Sequence, residues 1–254
     1  MIPRLMPKKT DIGFALMNGS IMQRNNRSFW RYVMAAMLLA VMVPQKDGCR
    51  AQNIRIVGNR EIYRQAIRQD SFQRMVELHS LSAGLIYDLR YATKNNFTGQ
   101  KLYTQGKTTF LRVAPARALA AAQDSLQKMG YCLKIFDAYR PHAATRMMWN
   151  LVHDERYVAD PSKGSGHNRG LAVDVTLLDA EGRELEMGTG FDNFTDTAHS
   201  DFKLLPENVL RNRWLLRSVL EHFGFTVLPT EWWHFYWPND RNYDVLDLPF
   251  RKLK

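Results

Sequence analysis

A glycine-flanked turn, Ser165-Gly166-His167-Asn168-Arg169-Gly170, runs directly into a strand pattern from Leu171 to Leu177, and this junction constrains the fold more than any other part of the chain. Leu171, Val173, Val175 and Leu177 alternate with Ala172, Asp174 and Thr176. A period of two puts the four aliphatic side chains on one face of a sheet and Asp174 on the other. Asp174 then lies beside Ala172, whose small side chain leaves open space, and an acid in that position requires a partner.

The elements around this strand alternate between helix and strand. Ala116 to Met129 is predicted as an amphipathic helix with Leu119, Ala122, Leu126 and Met129 on one face, ended by Gly130. Tyr131 to Asp137 reads as a buried strand, and Pro141 to about Tyr157 as a helix begun by proline in its first turn. Asp179-Ala180-Glu181-Gly182 reads as a hairpin turn returning through Glu184 to Met187. Pro206 to Phe223 forms another helix, and Glu231 to Trp237 a last strand. This order predicts an α+β domain, a small mainly antiparallel sheet with flanking helices.

No repeat or Gly/Ser linker interrupts residues 60 to 254, so 52–254 is expected to be one domain. Residues 1–51 read as a signal-peptide region. Arg24, Arg27 and Arg31 precede an uncharged apolar run from Tyr32 to Val43, which ends at Pro44. A membrane-spanning helix needs about 20 apolar residues, and this run meets Arg31 or Lys46 within a few residues of its ends. Cys49 and Ala51 stand at the small-residue positions of a cleavage site before Gln52, which predicts a periplasmic or otherwise exported protein without a stable membrane span. Lipidation at Cys49 is disfavoured by the preceding Lys46-Asp47-Gly48, and Met22 is an alternative start. The net charge of +10 belongs mostly to this region: residues 1–51 hold eight Lys or Arg against two Asp, and the remainder 27 against 23. A nucleic-acid partner is therefore not expected. Cys132, in an apolar run, reads as an inert buried thiol.

Two of the seven histidines stand in unusual settings. His167 precedes Asp174 by one turn and half a strand, and His234 closes Glu231-Trp232-Trp233-His234. Glu231 and His234 share a side of the chain only if the strand bulges between them, which its entry just after Pro229 allows. Two histidines, an aspartate and an open fourth position make a catalytic zinc site; four closed ligands would make a structural one. Taken singly, a buried histidine is more often a hydrogen-bonded core residue than a ligand, and His79, His142, His153, His199 and His222 are assigned to that class.

Five segments together carry a resemblance. They are Tyr87-Asp88-Leu89-Arg90-Tyr91-Ala92-Thr93 with Asn96-Phe97-Thr98-Gly99; Asp137-Ala138-Tyr139-Arg140-Pro141; Ser165 through Asp174; Met187-Gly188-Thr189-Gly190-Phe191-Asp192; and Glu231-Trp232-Trp233-His234. In this order, from about Tyr87 to Trp237, the chain resembles the zinc D-alanyl-D-alanine dipeptidases of the VanX type. These stand within the wider group of zinc D,D-peptidases that share the hedgehog fold. The resemblance implies one Zn²⁺ per chain on His167, Asp174 and His234, with Glu231 as general base and Arg140 as oxyanion stabiliser. It further implies a small dipeptide substrate, with Asp192 at its ammonium and Ser165 and Tyr91 as further substrate contacts. The exported N-terminus departs from the resistance enzymes, which work in the cytoplasm. Competing expectations are a D,D-carboxypeptidase or peptidoglycan endopeptidase with the same apparatus, and a zinc-stabilised binding module without catalysis. Oligomeric state is not legible in the sequence.

Overall fold

The computed structural model describes residues 54–104 and 108–254. The signal-region and cleavage-site expectations lie outside the described residues. Nine strands are described: β1 Ile56–Val57, β2 Met75–Glu77, β3 Ile86–Tyr87, β4 Phe110–Arg112, β5 Cys132–Asp137, β6 Ala172–Leu178, β7 Thr226–Leu228, β8 Glu231–Tyr236 and β9 Val245–Leu246. The helices are α1 Arg60–Gln69, α2 Val113–Lys128, α3 His142–Trp149, α4 Gly166–Arg169 and α5 Glu207–His222. Among the described residues no helix is long and apolar enough to cross a membrane.

The central sheet runs β3-β5-β6-β8-β7. Only β3 with β5 is parallel; the other three pairings are antiparallel. This is the α+β, mainly antiparallel arrangement expected. Val173, Val175 and Leu177 of β6 enter one core with Leu133 and Ile135 of β5 and Phe235 of β8. Leu119 and Leu126 of α2 and Leu216 and Leu220 of α5 complete it. A second core gathers Tyr91, Tyr103, Phe110, Tyr139, Met148 and Phe250, and Phe191 packs against both. The site lies on the face of β6 opposite the core shared with α2 and α5, where Ala172, Asp174 and Thr176 are also buried.

Three expectations need correction. The helix from Pro141 stops at Trp149, where Leu151 and Val152 both bond back to Met148 O; Asp154 then takes the Arg156 amide and turns the chain. The Ser165–Gly170 turn is a single helical turn, α4, with a reciprocal Ser165–Asn168 capping box and Gly170 at φ +70° as its stop. The space beside Ala172 is not open: a Cβ added at Gly166 would stand 2.9 Å from Ala172 Cβ, so the two small residues let α4 lie against the strand. The hairpin turn is as expected, with Gly182 N bonded to Asp179 O at 3.0 Å and Leu178 paired with Glu184.

Candidate active site

Strand register alone brings two of the predicted ligands together. Asp174 of β6 is directly opposite His234 of β8, and their Oδ1 and Nδ1 lie 2.9 Å apart. His167 reaches the same point from α4. Its Nδ1 lies 2.7 Å from Ala138 O, and because a carbonyl can only accept, the proton sits on Nδ1 and the Nε2 lone pair faces inward. Nε2 is 3.2 Å from His234 Nδ1 and 3.4 Å from Asp174 Oδ2.

These spacings suit a metal. Donors at about 2.0–2.1 Å from a tetrahedral ion stand roughly 3.3 Å from one another; the two imidazole nitrogens are 3.2 Å apart, Asp174 turns one oxygen to each of them, and one donor atom from each of the three residues lies within 4.8 Å of the others. Burial opposes ionisation of Asp174, but the two histidines outweigh it and hold its carboxyl well below the usual range. The donor set is thus two imidazoles, one carboxylate and room for a further ligand. Among the described residues it is the cluster able to hold an ion, and none of the other five histidines joins it.

Glu231 meets the cluster because β7 and β8 slip register between Val227 and Leu228, so that Leu228 pairs with Glu231. The irregularity expected from the three-residue spacing is present, and Glu231 Oε2 lies 3.8 Å from His234 Nδ1. Burial, reinforced by the charges of Asp174 and Asp192, pushes its carboxyl well above the ordinary value. Arg140, at the β5–α3 junction, donates from Nε to Asp137 Oδ2 at 2.8 Å, lies 4.7 Å over the Tyr91 ring and approaches Asp174 to 4.0 Å. Burial works against its charge, but Asp137 outweighs that and raises its pKa.

Asp192 lines the same cavity of about 260 Å³, together with Arg140, Ser165, Glu231, Phe97 and Tyr157. Tyr91 donates its hydroxyl to Asp192 Oδ1 at 2.8 Å, while Oδ2 is enclosed without a hydrogen-bond partner among the described residues. Tyr91 is thereby placed to orient Asp192. Ser165 caps α4 by accepting the Asn168 amide at 3.1 Å, which leaves its hydroxyl proton to donate. Asp88 and Arg90 pair with each other at 2.8 Å, away from the cluster.

Two supporting residues escaped the sequence reading. Asp137 anchors Arg140, a relation that the three-residue spacing in Asp137-Ala138-Tyr139-Arg140 could have suggested. Tyr103 donates to Asp137 Oδ1 at 2.6 Å from 34 residues away, and no local pattern announces it.

A buried His–Asp–His cluster with a carboxylate beside it, at the floor of a small polar cavity, defines the class: a metal-dependent hydrolase centre on an α+β scaffold. The chain belongs to the D-ala-D-ala dipeptidase family of peptidases, whose profile matches residues 71–251. It is 38% identical over 172 residues to a D-alanyl-D-alanine dipeptidase of Escherichia coli K12, covering 68% of this chain and 89% of that one. Enzymes of the same name from Streptomyces coelicolor and Enterococcus faecium are each 32% identical. They cover 61% and 62% of this chain, and 87% and 88% of their own lengths.

Proposed function

We propose that this protein hydrolyses D-alanyl-D-alanine to two D-alanines, using one Zn²⁺ held by His167, Asp174 and His234. The observation that carries the reading is one cavity lined by the ligand cluster, Glu231, Arg140 and Asp192, whose Oδ2 has no hydrogen-bond partner among the described residues. When bound, the ion supplies Lewis acidity, lowering the pKa of a coordinated water to about 7 and polarising the scissile carbonyl.

The chain's own residues divide the remaining work. Asp192 pairs with the free ammonium, held at its angle by Tyr91, and so favours a substrate whose amine is not acylated. Glu231 accepts the proton of the attacking water and returns it to the leaving amine. A cation among the neighbouring ligands favours the ionised form that this task requires. Arg140, immobilised by Asp137, donates to the oxyanion of the tetrahedral intermediate, and Ser165 donates a hydrogen bond to the substrate near the ligands.

Export belongs to the same proposal, supported by the basic residues and apolar run ahead of Gln52. An exported enzyme meets dipeptides released from the wall, which suits salvage of D-alanine.

The test is Glu231→Gln beside His234→Ala. Glu231→Gln is expected to keep its zinc and lose nearly all turnover, since the amide matches the carboxylate in shape but takes no proton. His234→Ala is expected to lose most of its metal. Near wild-type turnover in the first variant, or a full zinc complement in the second, would overturn these roles.

A further inference from the structure

We propose that Arg213 is a positioning residue for substrate recognition, which fixes the segment carrying Asp192 against the rest of the site. This rests on the assignment of Asp192 to the substrate ammonium.

Arg213 lies in the middle of α5, only 7% exposed, where a guanidinium without an acid partner is costly. It makes no ion pair among the described residues, and burial lowers its pKa to about 10. Its partners are three backbone carbonyls: Met187 O at 2.7 Å from Nε, His199 O at 3.1 Å from Nη1 and Thr197 O at 2.9 Å from Nη2. One side chain therefore ties together both ends of the segment from Met187 to His199. Its neighbour Asn212 extends the anchorage by donating to Glu186 O at 2.9 Å.

The anchored segment has few other polar ties. Gly188 at φ +81° and Asp192 at φ +60° bend it, and Thr189 Oγ1 accepts from Trp232 Nε1 at 2.8 Å. Arg213 also lies 5.8 Å from the Trp232 ring. Since Trp232 follows Glu231, the same guanidinium touches the segment that recognises the amine and the strand that carries the proposed base. Lysine keeps the charge but cannot present the planar fork that reaches three carbonyls at once.

Zinc-loaded wild type, Arg213→Lys and Arg213→Met are to be assayed on D-alanyl-D-alanine and its N-acetylated form, with metal content measured alongside. Arg213→Lys is expected to raise KM on the order of tenfold, because small misplacements of a binding group are expensive. Its kcat is expected to change less than about threefold and its zinc not at all. In an Asp192→Asn background the same substitution is expected to add almost nothing, since the route runs through Asp192. An unchanged KM, an equal rise in both backgrounds, or failure of both variants to fold would overturn the proposal. A wild-type enzyme that cleaves both substrates alike would sink the role of Asp192 instead. Amide exchange over residues 188–196, faster in Arg213→Lys if the anchorage is real, would then still decide whether Arg213 holds the segment.

Discussion

The recognition role proposed for Asp192 carries a cost to folding. Burial, with only partial relief from the Tyr91 hydrogen bond, raises its pKa to about 7. Because the folded value lies above the ordinary acid value of 3.8, stability present at low pH is lost as pH rises through 7. The rise from 3.8 to about 7 corresponds to at most ~4 kcal/mol, and to about 1–3 kcal/mol once its partial exposure is discounted. Asparagine accepts the Tyr91 hydroxyl equally well and tolerates the positive φ. In the metal-free protein, Asp192→Asn is therefore expected to raise the unfolding temperature at pH 8, by clearly more than at pH 5, while weakening dipeptide binding. Thermal unfolding at both pH values checks this. An equal effect at the two would show that Asp192 titrates as an ordinary exposed acid.

At the scale of elements, the connection between α4 and β6 places His167 seven residues from Asp174 with both side chains converging. Gly170 makes it possible: at φ +70° a Cβ would meet Met75 Cε at 2.5 Å. Gly182 has φ +79° but nothing within 4 Å. Gly182→Ala is expected to cost about 1 kcal/mol in urea unfolding, from left-handed strain alone. Gly170→Ala is expected to cost about 2–3 kcal/mol, since packing adds to the strain. Equal costs would mean that the contact with Met75 relaxes freely. The long elements were legible because periodicity and end signals coincide: α2, α5, β5, β6 and β8 lie within a few residues of expectation. The short strands β1, β2, β3, β4, β7 and β9 were not, because two or three residues carry no period, and helix α1 was not, its ten residues burying Tyr63 alone. The proposed ligands, which the structure brings together, could be named from the sequence because each stands in a local motif. Tyr103 and Arg213 were not, since their partners are 34 and at least 14 residues away and meet them only in the folded chain.

For the whole molecule, two cores meet through Phe191, and the cavity opens beside that junction, so the proposed metal ligands and Asp192 are held by packed surroundings. Where the enzyme works is a question about residues 1–51. Fractionating cells that express the full chain, with the N-terminal mass determined, is expected to give periplasmic protein beginning near Gln52. Uncleaved cytosolic protein would contradict export and leave the dipeptide made inside the cell as the substrate. The central claim, a zinc dipeptidase selective for a free amine, is tested most directly by offering the zinc-loaded protein three substrates side by side: D-alanyl-D-alanine, its N-acetylated form and a longer peptide ending in D-alanyl-D-alanine. Rapid zinc-dependent cleavage of the free dipeptide alone is the predicted result. Cleavage of the longer peptide in preference to the dipeptide would contradict the account and identify a carboxypeptidase or endopeptidase built on the same ligands.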